Sequence, residues 1–330
     1  MTFLLTLLVG AAMACGSGDP PGSDGQRSSS PPERIGALQP VCSDAQYSEE
    51  PPTRDDISFY IDRYDANDAR AFYEGVLGVR YPMGAQLVAE SSTARIDCVE
   101  TFKGQAKSVH QALQQITTVV HECGHFHDLE QSNATLNHYT VTPSLAFNCS
   151  AGDSMQRGGR TMARSRLLDD DFASRRPACD GKNCDIYALV YFRGDPDDDD
   201  ISESGDQGYN MLLEEMLQYI NSLATSYAFS DVYNAPQIER DAVLTFLWYI
   251  ERYLYLARTR YPEVYTFLTR DACWRQLTLT LWGRAWFYLE RSRDTPSLGV
   301  HDEVIEALVT DPSLLNEINT LRKLDGCQAL

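Results

Sequence analysis

The sequence predicts an α+β protein that is predominantly α, and three observations lead there. From Tyr209 onward the chain repeats apolar residues at helical spacing over long stretches, whereas β-prone runs are short and confined to the N-terminal half, where they predict a small sheet. The apolar share of 43% across 330 residues, with 10% aromatics, is enough to bury a sizeable core beneath those helices.

The chain opens on an apolar run, Met1–Cys15, too short to span a bilayer and ending in small residues. It reads as an export signal over residues 1–14. Ala12-Met13-Ala14-Cys15 is similar to a bacterial lipobox and makes Cys15 a candidate lipidation site, with an ordinary secretory signal as the alternative; Ala12 stands where Leu is usual, and the basic start is missing. Residues 15–54 are rich in Gly, Ser, Pro, Asp and Glu, too polar to offset their ordering entropy, and are expected to act as a disordered tether.

The folded domain is expected to occupy 55–330. Within 55–208, Asp56–Ile61 reads as a strand and Asp65–Tyr73 as a capped helix start. Gln105–Glu130 is expected to be one long helix, with Val109, Leu113, Ile116, Val120 and Gly124 on or near one stripe. The chain then becomes loop-rich to Gly208. That stretch contains an expected strand at Ile186–Phe192 and the acidic run Asp195–Asp200, read as a solvated loop, with a calcium site or an acidic cleft rim as the alternative. Residues 209–330 are expected to form a helical lobe, with helices at Met211–Thr225, Ile238–Arg258, Ala272–Arg291, Asp302–Leu308 and Pro312–Leu324. The Trp and Tyr residues of these helices (Trp248, Tyr249, Tyr253, Trp282, Trp286, Tyr288) read as core.

Nine cysteines fit an oxidising compartment. Setting Cys15 aside leaves an even set, in which Cys179 and Cys184 flank the turn-forming Asp180-Gly181-Lys182-Asn183 and are the most readily paired. Cys123 is expected to brace its helix as a disulfide or buried thiol; a ligand role is disfavoured because it points away from the neighbouring histidines.

The chemistry is concentrated in Thr118–Asp128, which carries three of the six histidines. On a helix, His121 and His125 lie one turn apart on one face and can share a metal ion, while Glu122 of the His-Glu-x-x-His pattern is aimed at a metal-bound water. Asp128 shares that face and is expected to support the ligands from behind. A catalytic zinc takes three protein ligands. The third is sought among the adjacent carboxylates Glu214 and Glu215 on the apolar segment Met211–Tyr219. His127 and His138 do not repeat the spacing of His121 and His125 and are read as surface or supporting residues; His110 lies three turns too early.

Thr118-Val119-Val120 before the motif, Cys123-Gly124 inside it and Phe126 after it resemble the zincin metallopeptidases, and among them the gluzincins; His127 stands where a hydrophobic residue is usual. The resemblance implies one catalytic Zn²⁺, a third ligand Glu on a downstream helix, and peptide-bond hydrolysis with Glu122 as general base and then general acid. In several gluzincins the ligand Glu is followed five positions later by Tyr, as Glu214 is by Tyr219, so the resemblance assigns Glu214 as ligand and keeps Glu215 in reserve. An oxyanion stabiliser is expected among Tyr219, Tyr227, His127 and His138.

A formal net charge of −19 makes nucleic acid or an anionic membrane surface a poor partner and suits a neutral or cationic protein or peptide substrate. The leading expectation is an exported, lipid-anchored, zinc-dependent metallopeptidase, contacting membrane through its lipid alone. The rival is a surface binding or structural lipoprotein on a zincin-like scaffold.

Overall fold

The computed structural model describes residues 42, 49–91, 97–150, 160–176, 178–179, 182–183, 185–198, 200, 203–232 and 237–330. Helices dominate. Their order is α1 (Ser58–Ile61), α2 (Ala69–Arg80), α3 (Pro82–Glu90), α4 (Cys98–Phe102), α5 (Val109–Gln131), α6 (Ala188–Tyr191), α7 (Tyr209–Phe229), α8 (Glu239–Arg260), α9 (Pro262–Arg270), α10 (Ala272–Arg291), α11 (Asp302–Val309) and α12 (Pro312–Leu324). The strands are few: β1 (Leu136–Thr142) pairs antiparallel with β2 (Leu145–Ser150), Tyr139 opposite Phe147, and the two-residue β3 (Ala178–Cys179) pairs with β4 (Lys182–Asn183).

The architecture is therefore an α-rich α+β one, as expected, but two expected strands are helical turns. At Asp56 the carboxylate accepts from both the amide and the hydroxyl of Ser58, a local turn that starts α1. In 186–192 the aromatic and branched residues suggest a strand, but Tyr187 and Tyr191, one helical turn apart, both pack on Tyr219 and Phe246, so tertiary contacts override β propensity.

The core is built on α5, α7, α8 and α10. Trp248, Tyr249, Tyr253, Trp282, Trp286 and Tyr288 are all buried in it, as the sequence suggested. The loop-rich segment before α6 is fastened to α8 by a fully buried, two-pronged ion pair: Arg252 Nε donates to Asp170 Oδ2 at 2.8 Å and Nη2 to Oδ1 at 2.6 Å.

Among the described residues three disulfides cross-link the fold: Cys42–Cys327, Cys98–Cys123 and Cys149–Cys273. The second bears out the bracing role expected of Cys123. Cys42 and the Glu49 carboxylate, which receives Nε and Nη2 of buried Arg284 at 2.8 and 3.0 Å, attach parts of the expected tether firmly to the helical lobe. Cys15 and the Cys179–Cys184 pairing lie outside the described residues. Asp197 of the acidic run pairs with Arg166 at 2.6 Å. Among the described residues no helix is long and apolar enough to cross a membrane.

Candidate metal centre

The site lies between α5 and α7, which run antiparallel: Thr117 meets Ser226, His121 meets Ser222 and His125 meets Glu214. Helix α5 begins where the Ser108 hydroxyl caps the amide of Gln111 and ends where the amide and hydroxyl of Ser132 donate to the Asp128 carbonyl. Gly124 permits the close approach, because a Cβ there would fall inside the Gln218 side-chain amide.

His121 and His125 turn their Nε2 atoms toward one another at 3.1 Å. Glu215 Oε2 completes the group, 3.3 Å from His125 Nε2 and 3.8 Å from His121 Nε2. Each outer nitrogen has its own partner. Ser222 donates its hydroxyl proton to the Gln218 carbonyl at 3.0 Å, so its oxygen accepts from His121 Nδ1 at 3.0 Å. Glu214 Oε1 accepts from His125 Nδ1 at 3.0 Å and from Gln218 Nε2 at 3.0 Å. With protons held on the Nδ1 side, both Nε2 lone pairs and a carboxylate oxygen converge on one point, an arrangement that repels itself unless positive charge lies among them. The three residues together can hold a metal ion.

The surrounding carboxylates favour positive charge at this point, whether a proton or a metal ion carries it. Burial pushes Glu215 toward its neutral form, but His125, His121 and Arg164 outweigh it and hold the carboxyl well below the usual range. Burial likewise works against a charged His125, yet Glu215 and Glu214 raise it well above the ordinary imidazole value. Glu122, beside the ligands, has the opposite balance: burial pushes its carboxyl up, against the pull of His121 and His125. Its Oε2 is buried with no hydrogen-bond partner among the described residues.

The third position therefore differs from the expected one. Glu215 joins His121 and His125, while Glu214 sits behind His125 and fixes its ring. Asp128 touches neither histidine: Oδ1 accepts from the Thr140 amide at 3.0 Å and Oδ2 from Gln218 Nε2 at 3.5 Å. Burial and Glu214 hold it well above the usual carboxylate range, and it supports the site through Gln218. Of the four oxyanion candidates, only Tyr219 adjoins the centre, its ring edge-on to His121 at 4.7 Å and its hydroxyl 2.9 Å from that of Tyr191. Tyr227 packs under Arg54, and His127 and His138 both turn to Thr140.

Sequence reasoning did not find Ser222, Gln218, Tyr191 or Arg164. Ser222 was within reach, since it lies seven residues after Glu215 and so on the same face of α7. Arg164 was not. It comes from the loop-rich segment, stacks 5.0 Å over Tyr191 and donates Nε to the carbonyls of Tyr191 and Ser204.

No family model, no curated protein and no solved structure matches the chain. The functional reading therefore rests on the site.

Proposed function

We propose that the protein is a zinc-dependent metallopeptidase, exported and anchored through a lipid on Cys15, with His121, His125 and Glu215 as the metal ligands. The observation that carries this reading is the convergence of two imidazole Nε2 atoms, each ring held at Nδ1 by its own partner, with the Glu215 carboxylate. Two imidazoles and one carboxylate form the ligand set of a catalytic zinc, and such a site leaves a position for water. With Glu215 as ligand the spacing to Tyr219 is four rather than five, so the gluzincin assignment rests on the donor geometry and not on that spacing.

Bound zinc would supply Lewis acidity to a water molecule and to the scissile carbonyl. Glu122 performs the proton transfers: its unpartnered Oε2 accepts the proton of the attacking water and delivers it to the departing amine. A buried carboxyl with a raised pKa suits that alternation better than an exposed one. Ser222 and Glu214 keep both imidazoles in the tautomer that presents Nε2. Tyr219, its ring edge-on to His121, is the nearest of the expected candidates for stabilising charge on the carbonyl oxygen.

The test is elemental analysis of the purified protein together with digestion of casein or a peptide library. The proposal expects one zinc per chain and cleavage abolished by Glu122→Gln with zinc retained. Full occupancy with no Glu122-dependent cleavage would favour the binding-scaffold alternative.

A further inference from the structure

Glu49 sits at one end of a chain of hydrogen bonds whose other end is a metal ligand. Its Oε2 accepts from Arg284 Nε at 2.8 Å, and its Oε1 accepts from Arg284 Nη2 at 3.0 Å and from the Tyr288 hydroxyl at 2.6 Å. The remaining nitrogen of that guanidinium, Nη1, donates to Asn221 Oδ1 at 2.8 Å. Asn221 Nδ2 then donates to Gln218 Oε1 at 2.9 Å, and Gln218 Nε2 to Glu214 Oε1 at 3.0 Å. That same Glu214 oxygen accepts from His125 Nδ1 at 3.0 Å. Arg284, Asn221, Gln218 and Glu214 are all buried.

The direction of each bond is set from the Arg284 end. A guanidinium only donates, so the Asn221 atom that it meets is the carbonyl oxygen. Tyr81 enforces the same choice: its hydroxyl receives Arg284 Nη2 at 2.9 Å and gives its own proton to Asn221 Oδ1 at 2.9 Å. The Asn221 nitrogen is thereby turned toward Gln218, which accepts at its carbonyl and presents its own nitrogen to Glu214. Held by that donor, Glu214 Oε1 receives the Nδ1 proton of His125 and leaves Nε2 free for the ion. A reversed Asn221 would reverse Gln218 in turn and set its carbonyl against the Glu214 carboxylate.

We propose that Glu49 is a positioning residue for the metal centre, acting through Arg284, Asn221, Gln218 and Glu214 to hold the His125 ring with Nε2 toward the ion. Glu49 does this as the counter-charge of Arg284, a fully buried cation that would lose its place without that carboxylate. The inference rests on the metal reading proposed above and extends it to a residue outside the two helices that carry the ligands.

The experiment measures the zinc dissociation constant of the full-length protein by competition with a chromogenic chelator, together with its melting temperature. Glu49→Gln and the near-isosteric Asn221→Leu are each expected to weaken zinc binding by about 3- to 10-fold, a part of the effect of losing a partner in direct contact with a ligand. Combined, they should weaken it no more than Asn221→Leu alone, because the chain is already cut; a merely structural role for Glu49 would make the two losses add. Asn221→Leu leaves the Glu49–Arg284 pair in place and decides by itself if Glu49→Gln does not fold. As a control, Asp231→Asn breaks the Arg80–Asp231 pair outside the chain and should lower the melting temperature with zinc affinity unchanged. Zinc affinity unmoved by Glu49→Gln or by Asn221→Leu, additive losses in the double variant, or an equal loss in Asp231→Asn would overturn the inference while leaving the metal site standing. A parent chain that takes up no zinc would remove the metal reading and the inference with it. Glu49-dependent zinc binding in a protein without Glu122-dependent cleavage would retain the inference and remove the peptidase reading.

Discussion

Glu214 and Glu215 are adjacent in sequence yet face opposite nitrogens of one imidazole: Glu214 Oε1 lies 3.0 Å from His125 Nδ1 and Glu215 Oε2 3.3 Å from His125 Nε2. One residue along α7 turns the side chain by about 100°, and that rotation separates a ligand from the group that orients a ligand. Glu215→Ala is therefore expected to abolish stoichiometric zinc binding, whereas Glu214→Gln should weaken it by about 10- to 100-fold, the usual effect of losing an orienting partner. Competition with a chromogenic chelator measures both, and equal losses would contradict the division of roles.

Ser222→Ala removes the acceptor that holds His121 Nδ1. It should lower zinc affinity in the same range as Glu214→Gln, with little change in melting temperature, because the small side chain leaves no large cavity. An unchanged zinc dissociation constant would show that His121 is oriented by packing alone.

At Gly124 an alanine would gain about 1 kcal/mol of helix propensity, but its methyl would enter the volume of the Gln218 amide, itself held by Glu214 and Asn221. Gly124→Ala is expected to destabilise by about 1–3 kcal/mol through overpacking. In a denaturation cycle, Gln218→Ala should relieve part of that loss; additivity of the two changes would place the clash elsewhere.

The Cys98–Cys123 bond closes a loop of sequence separation 25 and joins α4 to the motif helix. Replacing both cysteines by alanine should cost about 3 kcal/mol by the chain-entropy estimate. Because Cys123 adjoins Glu122, the double substitution should lower zinc affinity as well as the urea midpoint. A midpoint that does not move would contradict the bracing role.

Glu251, fully buried on α8, has neither carboxylate oxygen hydrogen-bonded among the described residues, and burial, then Asp311 and Glu317, hold its pKa well above the usual value. The folded state thus binds this proton more tightly than the unfolded chain does. Its stabilising contribution is complete below the unfolded carboxyl value and is lost as pH rises through the folded one. Glu251→Gln should therefore raise the melting temperature relative to the parent at about pH 9 and much less at about pH 5. An equal effect at both would remove Glu251 as the source.

Much of the site was legible because helices impose a fixed geometry on sequence. The spacing of His121 and His125 placed both on one face, and the apolar segment around Glu214 and Glu215 identified the partner helix. The choice between those two acids was not legible, since it depends on how α7 is rotated against α5, which Gly124 and Gln218 settle in three dimensions. The strand expected at 186–192 failed for a related reason: a four-residue helix is held by Tyr219 and Phe246, residues distant in sequence. The contribution of Arg164 depends on loop placement, for which the chain carries no periodic signal.

The Cys42–Cys327 link brings two residues separated by 285 positions to a Cα distance of 5.3 Å. Covalently, the intervening chain is a closed ring. A mechanical load applied through the leading segment would be carried by that sulfur bond directly to the last helical turns, bypassing α5 and α7, so the metal centre would be insulated from whatever pulls on the residues ahead of it.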